Sequence, residues 1–391
     1  MFSGSCPLSR TSLAPPEDGS CPLALMNYSG RQRLLEHQLE HLRLDALLIT
    51  HLANVRYLCG FAGSSGALAF ANGEWAFFTD GRYIEQAKRQ VKSAEVLINS
   101  MPPLDNAVQW TATSLKRRRS TARIGIESEH ITSATQSRFA SRLRKVGKSR
   151  YRVVQTREAV EQFRVRKDAE EIKQIRKAVQ LASSVFPGIV DITGSGKTEN
   201  EVAAETDHLA RRAGAEKMSF DTIVASGANS ALPHARPGHT RIGRGFVVLD
   251  YGVILGGYCS DMTRTVHVGP ANDNARELYS AVLEAQLAGI DAVRAGVEAH
   301  SVDEAARNVL RKRKLEKYFT HSLGHGVGIE IHEPPRLAKG QKQKLESGMV
   351  ITVEPGVYIA GSGGVRIEDM VLVTKNGCEV LTPTPKELII R

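Results

Sequence analysis

Two pairs of acids, set in apolar runs in the last third of the chain, carry the chemistry that the residues alone disclose. In FVVLDYGVILGGYCSDMTRTVHV (residues 246–268), Asp250 and Asp261 stand symmetrically about Leu255 and Gly256. In VITVEPGVYIAGSGGVRIEDMV (residues 350–371), Glu354 and Glu368 stand symmetrically about Gly361. Each run reads as a hairpin, with β-rich segments closed by a glycine turn. Residues equidistant from such a turn face each other across the ladder, so each hairpin is expected to present two carboxylates side by side. An acid inside a run such as FVVLD is costly to bury unless something compensates its charge. Between the hairpins lies HSLGHGVGIEIHEPP, where His325 sits among glycines that allow close approach to an ion. Four carboxylates and one imidazole match two divalent cations. The expected centre is dinuclear, with Asp250, Asp261, His325, Glu354 and Glu368 as ligands. Hard, oxygen-rich ligation favours Mn²⁺, and Co²⁺, Fe²⁺ or Zn²⁺ would also fit.

Other side chains extend this site. His332, in IHEPP, lies too far along from His325 for simple chelation and reads as a catalytic imidazole. His234, in LPHARPGH, occupies a proline-bracketed loop able to reach a pocket. Arg366 shares a strand face with Glu368. Two readings of it stand side by side and are compatible: an ion pair with one of the acids, or a fixed guanidinium that binds a substrate carboxylate or orients a metal ligand. His321 and His239 are second-tier candidates that read first as structural. The word GSGKT at 194–198 invites a phosphate-loop reading, but Asp191 stands where the first glycine is required and no apolar strand leads in. Thr198 reads instead as a helix N-cap, with Glu201 completing a capping box.

The elements that must position these residues fall into two groups. From residue 31 to about 154, helical and strand patterns alternate: RQRLLEHQLEHL, DALLIT, the pair GALAF and WAFFTD, a helix over 82–92, AEVLI, a helix over 106–116, ARIGIE, a helix over 132–144, and YRVVQ. This is the pattern of an α/β domain with a small mixed sheet. After a charged connection come amphipathic helices over 168–186 and 198–212, a strand over 218–225, and the first acidic hairpin. Helices over 274–293 and 301–312 precede the histidine segment and the second hairpin. Grouped helices and strands suit an α+β domain with an antiparallel sheet.

The 391 residues bound the rest. The expected division is a disordered Ser-, Pro- and Gly-rich tail (1–25), an α/β domain (26–156) and an α+β catalytic domain (157–391). The tail lacks the charged start and apolar core of a signal peptide, and Met26 is an alternative start. No apolar run approaches the length that spans a bilayer. Five scattered cysteines without metal-type spacing suggest free thiols and a reducing cytoplasm. The formal charge of +10 concentrates in runs at 116–119, 138–152, 164–177 and 307–317. Each run lies in or beside a helical pattern with acids or apolar residues interleaved and no nucleic-acid-binding module, so these read as solvated helix faces.

The five candidate ligands, with the words FDTIVASGANSALPHARP, LDYGVILGGYCSDMTRTV, THSLGHGVGIEIHEPP, ITVEPGVYI and GGVRIEDMVLVT, resemble the proline-specific branch of the pita-bread (M24) metallopeptidases, the Xaa-Pro aminopeptidases and dipeptidases. NVRYLCGFAGSSG and FFTDGRYIEQA resemble the creatinase-type N-terminal domain that precedes them. The resemblance runs from about residue 27 to residue 391. It implies a creatinase-like α/β domain followed by an α+β pita-bread catalytic domain. It implies that Asp261 and Glu368 bridge the two metals, that Asp250 completes one shell, and that His325 with Glu354 completes the other. His234, His332 and Arg366 match positions that contact substrate or flank the bridging glutamate. The implied activity is hydrolysis of the bond between an N-terminal residue and a following proline. A hydroxide held between two cations would attack, Glu354 would accept its proton, and His332 and His234 would assist at the oxyanion and the leaving nitrogen. The expected partner is a proline-containing peptide, and the expected assembly a homodimer. A non-catalytic pita-bread peptide-binding protein and a creatinase-like hydrolase are the alternatives; both typically lack the full ligand set that this chain retains.

Overall fold

The structure is a computed structural model that describes residues 26–115, 121–147, 150–194 and 196–391. The tail over 1–25 and the basic run at 116–119 therefore lie outside the described residues.

The N-terminal region is built on a six-stranded sheet, in the order Glu95–Ile98, Glu74–Thr79, Ala67–Ala71, Ala46–Ile49, Ala122–Glu127, Tyr151–Thr156. Ala67–Ala71 pairs antiparallel with both its neighbours, and the outer pairings are parallel. The expected GALAF/WAFFTD pair closes on Asn72 and Gly73, at φ +53° and +79°. That turn matches the twist of the strands it joins. Alternate residues face opposite ways. Leu47, Ile49, Leu68 and Phe77 pack with Leu35 and Leu58 on one side, and Leu48, Ala69 and Phe78 pack with Val108 and Phe139 on the other. The helix Leu52–Cys59 was not anticipated. It is short, has no side-chain cap at His51, and ends on Gly60 at φ +86°. It matters below, because it carries Asn54 toward the second region.

The C-terminal region repeats one theme twice: a helix pair packed on an acidic hairpin. In the first half, Ala169–Ile192 and Glu199–Arg212 cover the strands Ile223–Ser226, Gly245–Tyr251 and Met262–Val268. Both helices start with capping boxes, Asp168 with Glu171 and the expected Thr198 with Glu201. The first helix runs past the expected stop at Phe186 and through Pro187. Its apolar face continues with Ile189 and Val190 buried on the hairpin, which offsets the hydrogen bond lost at the proline. In the second half, Asp273–Ala292 and Ala299–Lys312 cover Val350–Val353 and Asp369–Val373. The single strand expected over 218–225 is two, Lys217–Met218 and Ile223–Ser226, in different sheets.

The hairpin registers decide where the acids point. In the second hairpin, the pairs Val353↔Asp369 and Gly356↔Arg366 flank Glu354 and Glu368, which therefore stand opposite each other as expected. The first hairpin differs. Asp250 pairs with Thr263, and Met262 with Tyr251, so the register carries Asp261 opposite Gly252. The turn sits at Gly256 and Gly257, at φ +58° and +77°, one residue beyond the expected centre. The slip in pairing is two residues, so both aspartates still share one face of the ladder.

A buried arginine clips the two hairpins together. Arg264 pairs with Asp369 at 2.7 Å and donates to the backbone carbonyls of Glu368 and Thr384. The Glu368 backbone N–H donates to the Thr263 carbonyl at 3.1 Å. This clip brings together acids that lie far apart in sequence.

Candidate metal centre

At the junction of the hairpins, one ligand atom from each of Asp261, His325 and Glu368 lies within 4.8 Å of the others. His325 Nε2 is 3.6 Å from Asp261 Oδ2 and 3.5 Å from Glu354 Oε1. Asp250 stands at the same buried junction, and its charge bears on Asp261, Glu354 and Glu368. All five residues predicted as ligands line one cleft of about 880 Å³.

Local structure explains each orientation. His325 lies on the strand Gly324–Gly326, where a Cβ on Gly324 would come within 2.0 Å of the Thr352 carbonyl oxygen. Only glycine lets the histidine strand seat this closely. The His325 Nδ1–H donates to the Gly326 carbonyl at 3.0 Å, which leaves Nε2 as a free lone pair toward the acids. Burial lowers this imidazole to about 4, so it is neutral at pH 7 and able to ligate. Thr352 Oγ1 accepts from the His325 backbone N–H and donates to Glu354 Oε1. Thr263 Oγ1 donates to Glu368 Oε2 at 2.7 Å.

The electrostatics show a site that lacks internal compensation. Burial pushes the Asp261 carboxyl well above the usual carboxylate range, and Glu368, Asp250 and Glu354 push it further. Burial, with the charges of Glu354 and Asp250, does the same to Glu368. Glu354 is pushed up to about 8 by burial and Asp250, against the opposing pull of Arg366. Asp250 Oδ1 and Glu368 Oε1 are buried without any hydrogen-bond partner. Orphaned carboxylate oxygens facing other acids are what cations would satisfy, so the residues present fit a pair of divalent ions.

The predicted histidines form one wall of the cleft. The His332 ring lies 4.4 Å from that of His325, edge-on. Burial and then the neighbouring His234 lower its affinity for a proton. His234 also lines the cleft, whereas His239 does not. His321, read from sequence as structural, is a cleft residue too. Its Nε2 accepts from the Tyr358 hydroxyl at 2.9 Å, and burial, with Arg366, lowers it to about 3. Arg366 donates to Tyr358 Oη, to the Pro233 carbonyl and to Thr263 Oγ1, and it is ion-paired with Asp250. Thus the guanidinium is engaged mainly by protein partners. Tyr358 was missed in the sequence, although its place in EPGVY, on the strand face of Gly356, was a usable signal.

The profile of "Metallopeptidase family M24" matches residues 173–375, and that of "Creatinase/Prolidase N-terminal domain" matches residues 31–166. The chain belongs to metallopeptidase family M24. Its fold is a creatinase-type N-terminal domain followed by a pita-bread catalytic domain. Among M24 relatives, the chain is 38% identical to the Xaa-Pro dipeptidase of Pyrococcus horikoshii, over 88% of this chain and 95% of that one. A solved Xaa-Pro dipeptidase from Bacillus anthracis superposes with a TM-score of 0.87 at 37% identity, covering 93% of this chain and all of its own. The X-Pro aminopeptidase of Thermotoga maritima gives a TM-score of 0.82 at 33% identity, covering 91% of this chain. Among the described residues, no helix is long and apolar enough to cross a membrane.

Proposed function

We propose that this M24 protein is a metal-dependent Xaa-Pro peptidase, which releases an N-terminal residue from a following proline. The observation that carries this is the convergence of Asp250, Asp261, His325, Glu354 and Glu368 around orphaned carboxylate oxygens, beneath a wall of cleft histidines. The relatives named as Xaa-Pro dipeptidases and as an X-Pro aminopeptidase support the proline specificity.

Asp250, Asp261, His325, Glu354 and Glu368 would together hold two divalent ions. Hard oxygen donors favour Mn²⁺. When bound, the ions supply Lewis acidity and an activated water. The chain's own side chains do the rest. Glu354 accepts the proton of the attacking water. His332 donates a hydrogen bond to the oxygen that gains charge. His234 delivers a proton to the departing proline nitrogen. That nitrogen carries no hydrogen in the peptide, so departure depends on a delivered proton.

Arg366 is the less suitable of two cations for a substrate carboxylate, because protein partners engage it. Arg336 suits that role better. It pairs with His325 across the ladder, lines the cleft, is exposed, and makes no ion pair among the described residues. A free guanidinium beside the centre would receive the terminal carboxylate of an Xaa-Pro dipeptide. The free, buried thiols of Cys59 and Cys259 support a reducing, cytoplasmic setting. The test is an assay in Mn²⁺ that compares Xaa-Pro, Xaa-Pro-Xaa and Xaa-Ala. Cleavage before proline alone is expected; equal cleavage of Xaa-Ala would overturn the assignment.

A further inference from the structure

A second polar cluster lies behind the histidine wall, where the two domains and their connection meet. Glu333, the residue after His332, is buried at 7% exposure, and its partners Arg164 and Lys167 are at 3% and 6%. Arg164 Nη2 donates to Glu333 Oε1 at 2.5 Å and to Glu330 Oε2 at 2.7 Å. Lys167 Nζ donates to Glu333 Oε2 at 2.9 Å. The Glu330 backbone N–H donates to Glu333 Oε1 at 3.1 Å, which closes the turn that carries Ile331 and His332. A Cβ on Gly328 would sit 2.4 Å from Glu333 Oε2, so the fit around this carboxylate leaves no slack. Burial opposes charge on Glu333, but Lys167 and Arg164 override it and keep the carboxyl below its usual range.

The N-terminal domain holds the other side of the clamp. Asn54 Oδ1 accepts from Arg164 Nη1 at 2.7 Å, and Asn54 Nδ2 donates to Glu127 Oε1 at 2.7 Å and to Glu161 Oε1 at 2.5 Å. His51 Nε2 lies 3.0 Å from Glu330 Oε1. The helix Leu52–Cys59 and the interdomain connection thus both end on the segment 330–333.

We propose that Arg164 and Lys167 are positioning residues for the reaction: by clamping Glu333 they fix the direction in which His332 faces the cleft. The reason is geometric. His332 lies in the turn closed by the Glu330 N–H bond to Glu333, directly before the strand Glu333–Leu337. With Glu333 anchored by two cations, the turn has a fixed end, and the imidazole projects from it into the cleft beside His325. A buried ionic cluster in which both Glu333 carboxylate oxygens are held by cations has few alternative arrangements, so it holds that direction firmly. The Asn54 contact makes the N-terminal domain part of this support. The inference rests on the assignment of His332 to the reaction.

The test is a double-mutant cycle in the full-length, Mn²⁺-loaded enzyme, reading kcat, KM and bound metal with an Xaa-Pro substrate. Arg164→Lys keeps the charge but loses the planar fork. It is expected to lower kcat about 10-fold or more, the usual scale for residues that orient active-site groups, while metal content stays unchanged. In a His332→Ala background the same substitution is expected to cost less than about 2-fold, because nothing remains to be positioned. Glu333→Gln, which keeps the side-chain shape, is expected to behave alike, and it serves where Arg164→Lys does not fold. An equal loss in both backgrounds, or no loss in either, overturns the positioning role. A His332→Ala enzyme with wild-type turnover overturns the role of His332 itself, and the clamp with it.

Discussion

The Arg366 guanidinium is ion-paired with Asp250 and donates to the Tyr358 hydroxyl at 2.8 Å. It therefore stands behind an acid of the candidate metal centre rather than free in the cleft. Arg366→Lys should lower kcat/KM for Xaa-Pro and Xaa-Pro-Xaa substrates by similar factors, about 10- to 100-fold, through poorer orientation of Asp250. Arg336→Gln should instead harm the dipeptide several-fold more than the longer peptide, because only the dipeptide places its carboxylate on proline. Steady-state kinetics of both variants on both substrates checks this. A dipeptide-selective loss in Arg366→Lys would restore the carboxylate clamp to Arg366.

Asp261→Asn and Glu368→Gln should each reduce activity by more than about 100-fold and lower the bound metal. An amide keeps the shape but not the charge that two cations require. Metal analysis of the purified variants, beside circular dichroism to show that the fold persists, is the check. Near-normal turnover in either variant would contradict the dinuclear reading.

Metal uptake should be proton-linked. Burial and mutual repulsion raise Asp261 and Glu368 well above the usual range, and Glu354 to about 8. Carboxyls with raised folded pKa values are favoured protonated, so the metal-free protein should lose stability as pH rises from about 4.5 through about 8. Metal requires the ionised forms. Affinity should therefore climb as pH rises toward about 8, with release of protons. Calorimetry in buffers of different ionisation enthalpy measures that release; pH-independent uptake would contradict it.

A milder pH effect belongs to the domain junction. Burial alone would lower the His51 imidazole, but Glu330 overrides this and raises it; Glu127 adds to the rise and Arg164 opposes it. Glu330 is itself drawn down to about 2: burial acts against this, and His51 and Arg164 prevail. The His51 contribution is present below about pH 6.5 and fades as pH rises through its folded value. The Glu330 contribution is present above about pH 4.5 and fades as pH falls toward 2. His51→Phe, which preserves the stack on His130, should thus lower thermal stability most between about pH 4.5 and 6.5, by up to about 1 kcal/mol. A pH-independent difference would count against the ion pair.

Much of this site was legible because acids in apolar strands are conspicuous. Asp250 in VVLDYG and Glu354 in VITVEP announce a charge that something must compensate. The second hairpin's register followed from symmetry about Gly361, which does have a positive φ of +78°. The first did not, because VILGGY offers two adjacent glycines and the turn took Gly256 and Gly257; a shift of one in the centre moves pairing by two. Arg366 left two readings open, since strand periodicity assigns a face but not the partners waiting there. Arg164 and Lys167 were invisible for a related reason. Their roles depend on contacts between segments distant in the chain, such as Arg164 with Glu333, and no local pattern encodes those.

The most direct test of the central claim is a metal titration of the demetallated enzyme, following proline released from an Xaa-Pro dipeptide. The ligand set predicts no turnover without metal, and activity that saturates when two Mn²⁺ ions are bound per chain. Full activity in the chelator-treated protein, or saturation with a single ion, would contradict it.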